Sequence, residues 1–292
     1  MDNSKFYGTG VALITPFKKD LSVDYDALKR VLDHVMNGGV DYLVILGTTG
    51  EAPTISVEEK NRITEFVIAN NTKKLPLVYG LGGNSTKWVT DQFDLIKDYQ
   101  FDAILSLSPY YNKPSQKGII QHYQAIADAS PYPVILYNVP ARTSSNISAE
   151  TTIELSKHEN IIGIKEASGN LHQCMEIIKN TPDDFFLTSG DDCLTLPMMS
   201  FGCVGAISVI ANTQPAEFST MVRLALAGSF EEASDLHFRL LEGYDLVGVE
   251  GNPVSVKTGM EALGLIERNM RSPLYPGSEE LLAAFKTYFD KK

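Results

Sequence analysis

Lys165 closes a run of apolar and small residues, IIGIKEASG at 161–169, whose composition is that of a strand inside a sheet. Lysine is among the residue types least often fully buried, and a bare ammonium in an apolar setting costs several kcal/mol unless it is paired or neutralised. Either Lys165 sits where the strand leaves the core or its chemistry requires the burial. A free lysine amine attacks carbonyl carbons to form a Schiff base, and the iminium then acts as an electron sink that acidifies the adjacent carbon. The competing reading is a stem that merely runs past the strand end to solvent. By strict alternation Ile161, Gly163 and Lys165 share one face, and Ile162, Ile164 and Glu166 share the other. Glu166 is therefore not expected to be the lysine's counterion, and Gly163 is expected to leave space beneath it.

Other reactive side chains fall in short clusters, each at the end of an apolar run: GTTGE (47–51), SPYYNKP (108–114), YNVPART (137–143) and SGDD (189–192). Tyr137 points to the same side of its strand as Ile135. Arg142 carries a planar fork suited to a carboxylate, although a surface ion pair would use it equally well. GTTGE alone could be an ordinary strand-to-helix turn, and Tyr110 and Tyr111 could be core or interface aromatics. The five histidines, His34, His122, His158, His172 and His237, are expected on helical stretches without ligand-like pairing, so no metal site is expected. The glycines of YGLGGNS, from Tyr79, fit neither phosphate-binding fingerprint, and no cofactor is expected.

These clusters need a frame that brings strand ends together. Eight short apolar runs recur along the chain: GVALITPF, VDYLVILG, LPLVYGLG, FDAILSLSP, PVILYNVP, IIGIKEAS, FFLTSGDD and CVGAISVI. Helical stretches separate them, with starts expected at Ser22, Ser56 and Ser148. Eight strands alternating with helices place the chain in the α/β class as a (β/α)8 (TIM) barrel, with an open doubly wound sheet as the alternative. Beyond Gly228 the strand signals stop and three helical stretches follow. The expected division is a catalytic barrel over 1–228 and a helical region over 229–292. Such barrels place their chemistry at the C-terminal ends of the strands, where all the polar clusters fall.

With 25 basic and 36 acidic residues the chain carries a net charge of -11, which makes nucleic acid and anionic membrane poor partners. An anionic substrate would need a local positive pocket. Cys174, Cys193 and Cys203 are an odd number without CxxC spacing, and the opening MDNSKFYGTG lacks a secretory pattern, so a reduced, cytoplasmic protein is expected. No apolar run approaches the roughly 18 residues that span a bilayer.

Taken in this order and spacing, GTTGE, SPYYNKP, YNVPxRT and GIKEASG closely resemble the dihydrodipicolinate synthase branch of the class I, pyruvate-dependent aldolase family, which also includes N-acetylneuraminate lyase. The resemblance runs over nearly the whole chain. It implies a homotetramer of barrels that condenses pyruvate with aspartate semialdehyde, feeding diaminopimelate and lysine synthesis. It also implies that Lys165 forms the Schiff base with C2 of pyruvate and that Tyr137 shuttles protons. Thr49 resembles the relay threonine, and Tyr111 the tyrosine that a neighbouring subunit inserts. Thr48, with the backbone of Thr49, resembles the holder of the pyruvate carboxylate; Arg142 would hold that of the aldehyde. Gly190 and Ile207 match positions lining the pyruvate pocket. An acylneuraminate lyase or a 2-keto-3-deoxy sugar acid aldolase would usually lack the arginine of YNVPxRT, and a catalytically silent, regulatory barrel would be expected to lose Lys165 or Tyr137. Two departures stand out. The NPxPVK element of the family reads NPVSVK here (252–257), with Ser255 in place of the second proline. Feedback-sensitive members carry two histidines and a glutamate where this chain has Val57, Lys60 and Trp88, while Asn84 and Tyr110 are retained, so free lysine is expected to inhibit weakly or not at all.

Overall fold

In the computed structural model, which describes residues 3–291, eight parallel strands close into one barrel in chain order. They are β1 (Gly8–Ala12), β2 (Tyr42–Ile45), β3 (Leu77–Gly80), β4 (Ala103–Leu107), β5 (Val134–Asn138), β6 (Ile161–Glu166), β7 (Phe186–Ser189) and β8 (Gly205–Ser208). The helices between and after them are α1 (Tyr25–Asn37), α2 (Val57–Asn70), α3 (Thr86–Ile96), α4 (Gln116–Ala129), the short α5 (Pro140–Thr143), α6 (Ala149–Leu155), α7 (Leu171–Asn180), α8 (Thr195–Met199) and α9 (Pro215–Leu226). Three more follow: α10 (Phe230–Gly248), α11 (Val254–Ala262) and α12 (Glu279–Asp290). Among the described residues no helix is long and apolar enough to cross a membrane.

Local chemistry explains most of the helix starts. Ser56 forms a full capping box with Glu59, and Ser148 accepts from the backbone N–H of Thr151. The first helix departs from expectation, because Asp24 rather than Ser22 caps it. Ser22 is spent in a turn, donating its N–H and hydroxyl to Asp20, and Val23 pairs with Phe17 as an isolated bridge. His158 also differs from expectation: it lies in the turn after α6, beside Asp128, rather than on a helix.

Inside the barrel, Tyr42, Val44, Leu105, Ile135, Phe186 and Ile207 form an apolar plug distinct from the larger layer between strands and helices. Strict alternation fails on β6. Val134 pairs with Ile161 but Ile135 pairs with Gly163, so one residue is extra on β6. Ile162 consequently joins the interior plug while Ile161 and Ile164 face the helices. Nor does Gly163 leave a void: a Cβ there would lie 2.8 Å from the Phe186 ring, so the glycine makes room for that aromatic. Above the irregularity the register is regular, with Tyr137 opposite Lys165 and Asn138 opposite Glu166.

The helices beyond Gly228 share the barrel's outer apolar layer through Leu240, Met260 and Phe285. They are also tied to it by charge. Arg271 pairs with Glu59 at the start of α2, donates to the carbonyls of Leu21 and Thr54, and stacks 4.4 Å from the centroid of the Phe17 ring. The Arg271 hydrogen bond holds the Glu59 carboxyl at about 2, below the ordinary carboxylate range. A carboxyl with a depressed folded-state value contributes stability that is present above its unfolded value and lost as pH falls toward the folded one. The melting temperature is therefore expected to fall as pH drops from about 4.5 to about 2. In Glu59→Gln this portion of the fall should be missing, and an unchanged acid profile in that variant would remove the pair from the account.

Candidate active site

A cavity of ≈ 400 Å³ opens at the C-terminal ends of the strands, and its wall includes Thr48, Thr49, Tyr137, Arg142, Lys165 and Gly190. Six of the eight candidate residues thus meet on one wall. Lys165 is 5 % exposed. Among the described residues it has no carboxylate partner, and its Nζ lies 4.4 Å from the centroid of the Tyr137 ring. The stem is packed as well: a Cβ on Gly190 would come within 2.9 Å of Lys165 Cε and 2.7 Å of Ala167 Cβ. Snorkelling past the strand end is therefore not what this lysine does.

The residues that follow the lysine and the tyrosine lock their strands from the other side of the barrel wall. Glu166 is buried and accepts from Asn138 Nδ2 at 3.0 and 3.1 Å, from Gln173 Nε2 at 2.9 Å and from the backbone N–H of Ser168 at 2.7 Å. Asn138 in turn accepts from Ile147 N at 3.0 Å, which fixes its amide orientation. Burial raises the Glu166 carboxyl above the usual range against these hydrogen bonds. As expected, it is not the counterion of Lys165.

The GTTGE loop is held by its last residue. Glu51 adopts a left-handed backbone with φ of 56° and forms a fully buried ion pair with Lys257 of α11 at 2.5 Å. Lys257 also donates to the carbonyl of Asn269 and sits 4.2 Å from the Phe17 ring centroid. Burial lowers its amine to about 8, with Glu51 opposing the shift. At the loop's centre Thr49, 3 % exposed, accepts from Asn252 Nδ2 at 2.9 Å. The backbone carbonyl of Asn252 accepts from Arg142 Nη2 at 2.9 Å. Asp192, half-buried in the cavity wall, has its carboxyl raised by desolvation, and its Oδ2 accepts from the N–H groups of Val209 and Ile210. Sequence reasoning missed Asn252 and Lys257 as parts of the site, and placed Asp192 at the rim only as part of SGDD. The departure in NPVSVK was the only signal pointing at the first two.

Two candidates are not brought to the wall. Ile207 is packed in the interior plug level with Gly10, and Val209, two residues further along, is the one that lines the cavity. Tyr111 is 86 % exposed, outside the cavity, with a left-handed φ of 74°. Among the described residues no three His, Cys, Asp or Glu side chains are gathered as metal ligands.

A parallel barrel with a buried amine at the end of its sixth strand, a phenol beside it and hydroxyls and an arginine above is built as a lyase of the Schiff-base class. The family model described as the dihydrodipicolinate synthetase family matches residues 5–292. The chain is 51% identical over 277 residues to a 4-hydroxy-tetrahydrodipicolinate synthase of Cytophaga hutchinsonii, covering 95% of this chain and 93% of that one. It is 50% identical to the one of Flavobacterium psychrophilum, covering 94% of both. The crystal structure of dihydrodipicolinate synthase from Thermotoga maritima superposes with a TM-score of 0.95 at 31% identity over 98% of both chains, and that from Aquifex aeolicus with 0.93 at 38% over 98% of both. The chain belongs to the dihydrodipicolinate synthetase family.

Gly190→Ala tests the packing of the lysine. The added methyl must displace the Lys165 stem or Ala167, and displacement of a reacting group by about 1 Å can cost ~100-fold. A folded enzyme with turnover reduced at least tenfold is expected; full activity would show that the stem has slack.

Proposed function

We propose the following assignment of side chains for the reaction this family member carries out, the condensation of pyruvate with L-aspartate 4-semialdehyde to 4-hydroxy-tetrahydrodipicolinate in diaminopimelate and lysine synthesis. The observation that carries it is the buried, carboxylate-free amine of Lys165 against the ring of Tyr137 at the floor of the cavity. The amine lone pair attacks C2 of pyruvate, and the carbonyl oxygen leaves as water. The iminium so formed acidifies the methyl group, whose proton is lost to give an enamine. Its carbon attacks the aldehyde carbon of the second substrate, and the aldehyde oxygen takes up a proton. The amino group of that substrate then adds to C2, closing the ring and freeing Lys165.

Tyr137 hydrogen-bonds the reacting oxygen and moves these protons as general acid and base. A phenol does this better within a chain of hydroxyls than alone, and Thr49 with Tyr111 completes that chain. Tyr111 reaches the site from a neighbouring copy of the chain; its exposure and left-handed backbone support a residue that packs outside its own barrel. This reading makes the enzyme an oligomer, a homotetramer built from dimers. Thr48 and the backbone of Thr49 hold the carboxylate of pyruvate, with Gly190 giving backbone approach and Ile207 closing the floor beneath. Arg142 holds the carboxylate of the aldehyde. The chemistry needs no cofactor beyond the lysine itself.

An acylneuraminate lyase or a 2-keto-3-deoxy sugar acid aldolase is not favoured, since Arg142 is present and the half-identical relatives are synthases. A coupled assay separates the readings: turnover of pyruvate with aspartate semialdehyde and none with N-acetylneuraminate is expected, and the reverse would refute the substrate assignment. Arg142→Ala is expected to weaken use of the aldehyde about 10- to 150-fold, the ~1.5–3 kcal/mol of a hydrogen bond to a charged group, with pyruvate imine formation little changed. Loss of pyruvate trapping with normal aldehyde dependence would reverse its role.

Regulation is the last point of this reading. Val57 and Trp88 are exposed, and Lys60, lowered by burial, shares a small pocket with Trp88. A cationic effector would meet Lys60 there and lack a carboxylate at Trp88, so free L-lysine is expected to inhibit weakly or not at all, with affinity reduced about 10- to 150-fold by the missing partner alone. Half-inhibition at tens of micromolar would show that another acid, such as Glu58 or Asp91, has rebuilt the site.

A further inference from the structure

Asn252 touches both halves of the site through chemically different groups. Its side-chain Nδ2 donates to the hydroxyl of Thr49 at 2.9 Å, whereas its backbone carbonyl accepts from Arg142 at 2.9 Å. It lines the cavity, and its Oδ1 is buried without a donor among the described residues. A threonine hydroxyl has one proton to give and two lone pairs to receive with. With one lone pair of Thr49 taken by an amide N–H, the hydroxyl proton has no acceptor among the described residues and is left for the cavity.

We propose that Asn252 is a positioning residue that sets the polarity of Thr49 in the resting complex, turning its hydroxyl proton toward the carboxylate of the bound keto acid, beside the backbone contact, and leaving the second lone pair to accept from the hydroxyl chain of Tyr137. This rests on the reading of the cavity as a keto-acid site. It adds to that reading a residue on a different element, 203 positions away in the chain, that decides whether the GTTGE loop presents a donor or an acceptor to an anion. The two contacts of Asn252 also separate by mutation. A side-chain change reaches Thr49, while the carbonyl that holds Arg142 stays in place. The effect should therefore fall on the keto acid and leave the aldehyde alone.

The decisive variant is Asn252→Asp, which keeps the shape and reverses the polarity. A carboxylate only accepts hydrogen bonds, so Thr49 would turn its proton to the introduced carboxylate and present lone pairs to the substrate anion. Asn252→Ala merely releases the hydroxyl to rotate. The readouts are the pyruvate concentration giving half-maximal borohydride trapping, measured without aldehyde, the KM for each substrate, and the melting temperature. The pyruvate requirement should rise at least tenfold in Asn252→Asp and by less in Asn252→Ala, the scale of a lost hydrogen bond to a charged group. The aldehyde KM should stay within about twofold. In a Thr49→Val background the effect of Asn252→Asp should shrink, because the group it acts on is gone. An asparagine that only shapes the turn, or one whose amide faces Thr49 the other way round, predicts Asn252→Asp equal to wild type, and that result would overturn the proposal. Equal damage to both substrates would overturn it too. Should Asn252→Asp fail to fold, Asn252→Ala decides alone: a raised pyruvate requirement at unchanged aldehyde KM sustains the assignment, and no change defeats it. Wild-type enzyme that traps no pyruvate at all would instead strike the keto-acid reading itself.

Discussion

The site depends on a difference between two buried lysines. Lys257 is enclosed completely and has a full complement of partners: the Glu51 carboxylate, the carbonyl of Asn269 and the face of Phe17. Lys165 is buried almost as deeply and has only the face of Tyr137. Burying an amine without a counterion is a cost that the rest of the fold must offset. The barrel keeps the carboxylate next to Lys165 in sequence, Glu166, on the opposite side of β6 and surrounds it with amide donors, so that it has no call on the amine.

The Glu51–Lys257 pair serves a different end. A paired buried charge contributes little net stability, whereas loss of one partner is expensive, typically ~3–5 kcal/mol, so the pair acts chiefly to hold one arrangement. What it holds is the GTTGE loop against α11, at a residue whose backbone is left-handed. Five residues before Lys257, Asn252 takes hold of Thr49 and Arg142. The chain beyond the barrel is thus the part that brings the loops after β2 and β5 into a common frame, and α10 contributes Tyr244 and Val247 to the cavity wall.

Much of this is legible in the residues, for physical reasons that differ element by element. The eight strands announce themselves because a strand covered on both faces must be almost continuously apolar. Lys165 stands out because a charge at the end of such a run is anomalous, and Tyr137 follows from alternation on a regular strand. The faces of Ile161 and Ile162 depart from simple alternation because the extra residue in β6 is set by its pairing with β5, which no local pattern records. Asn252 and Lys257 lie more than 200 residues from their partners Thr49 and Glu51, and periodicity carries no information about contacts at that separation. Ile207 sits one layer lower on β8 than its motif suggests, because a shared inward face does not say how deep the cavity reaches.

The central claim is that the amine of Lys165 carries the substrate as an imine. Incubating the enzyme with pyruvate and borohydride, then mapping its peptides by mass, tests it most directly, because reduction fixes an imine as a stable secondary amine. The account predicts irreversible inactivation with one pyruvate-derived adduct, on the peptide containing Lys165, and a folded but inert Lys165→Arg variant, since a guanidinium stays protonated. An adduct on Lys257 or any other lysine, or active enzyme with no adduct at all, would contradict it.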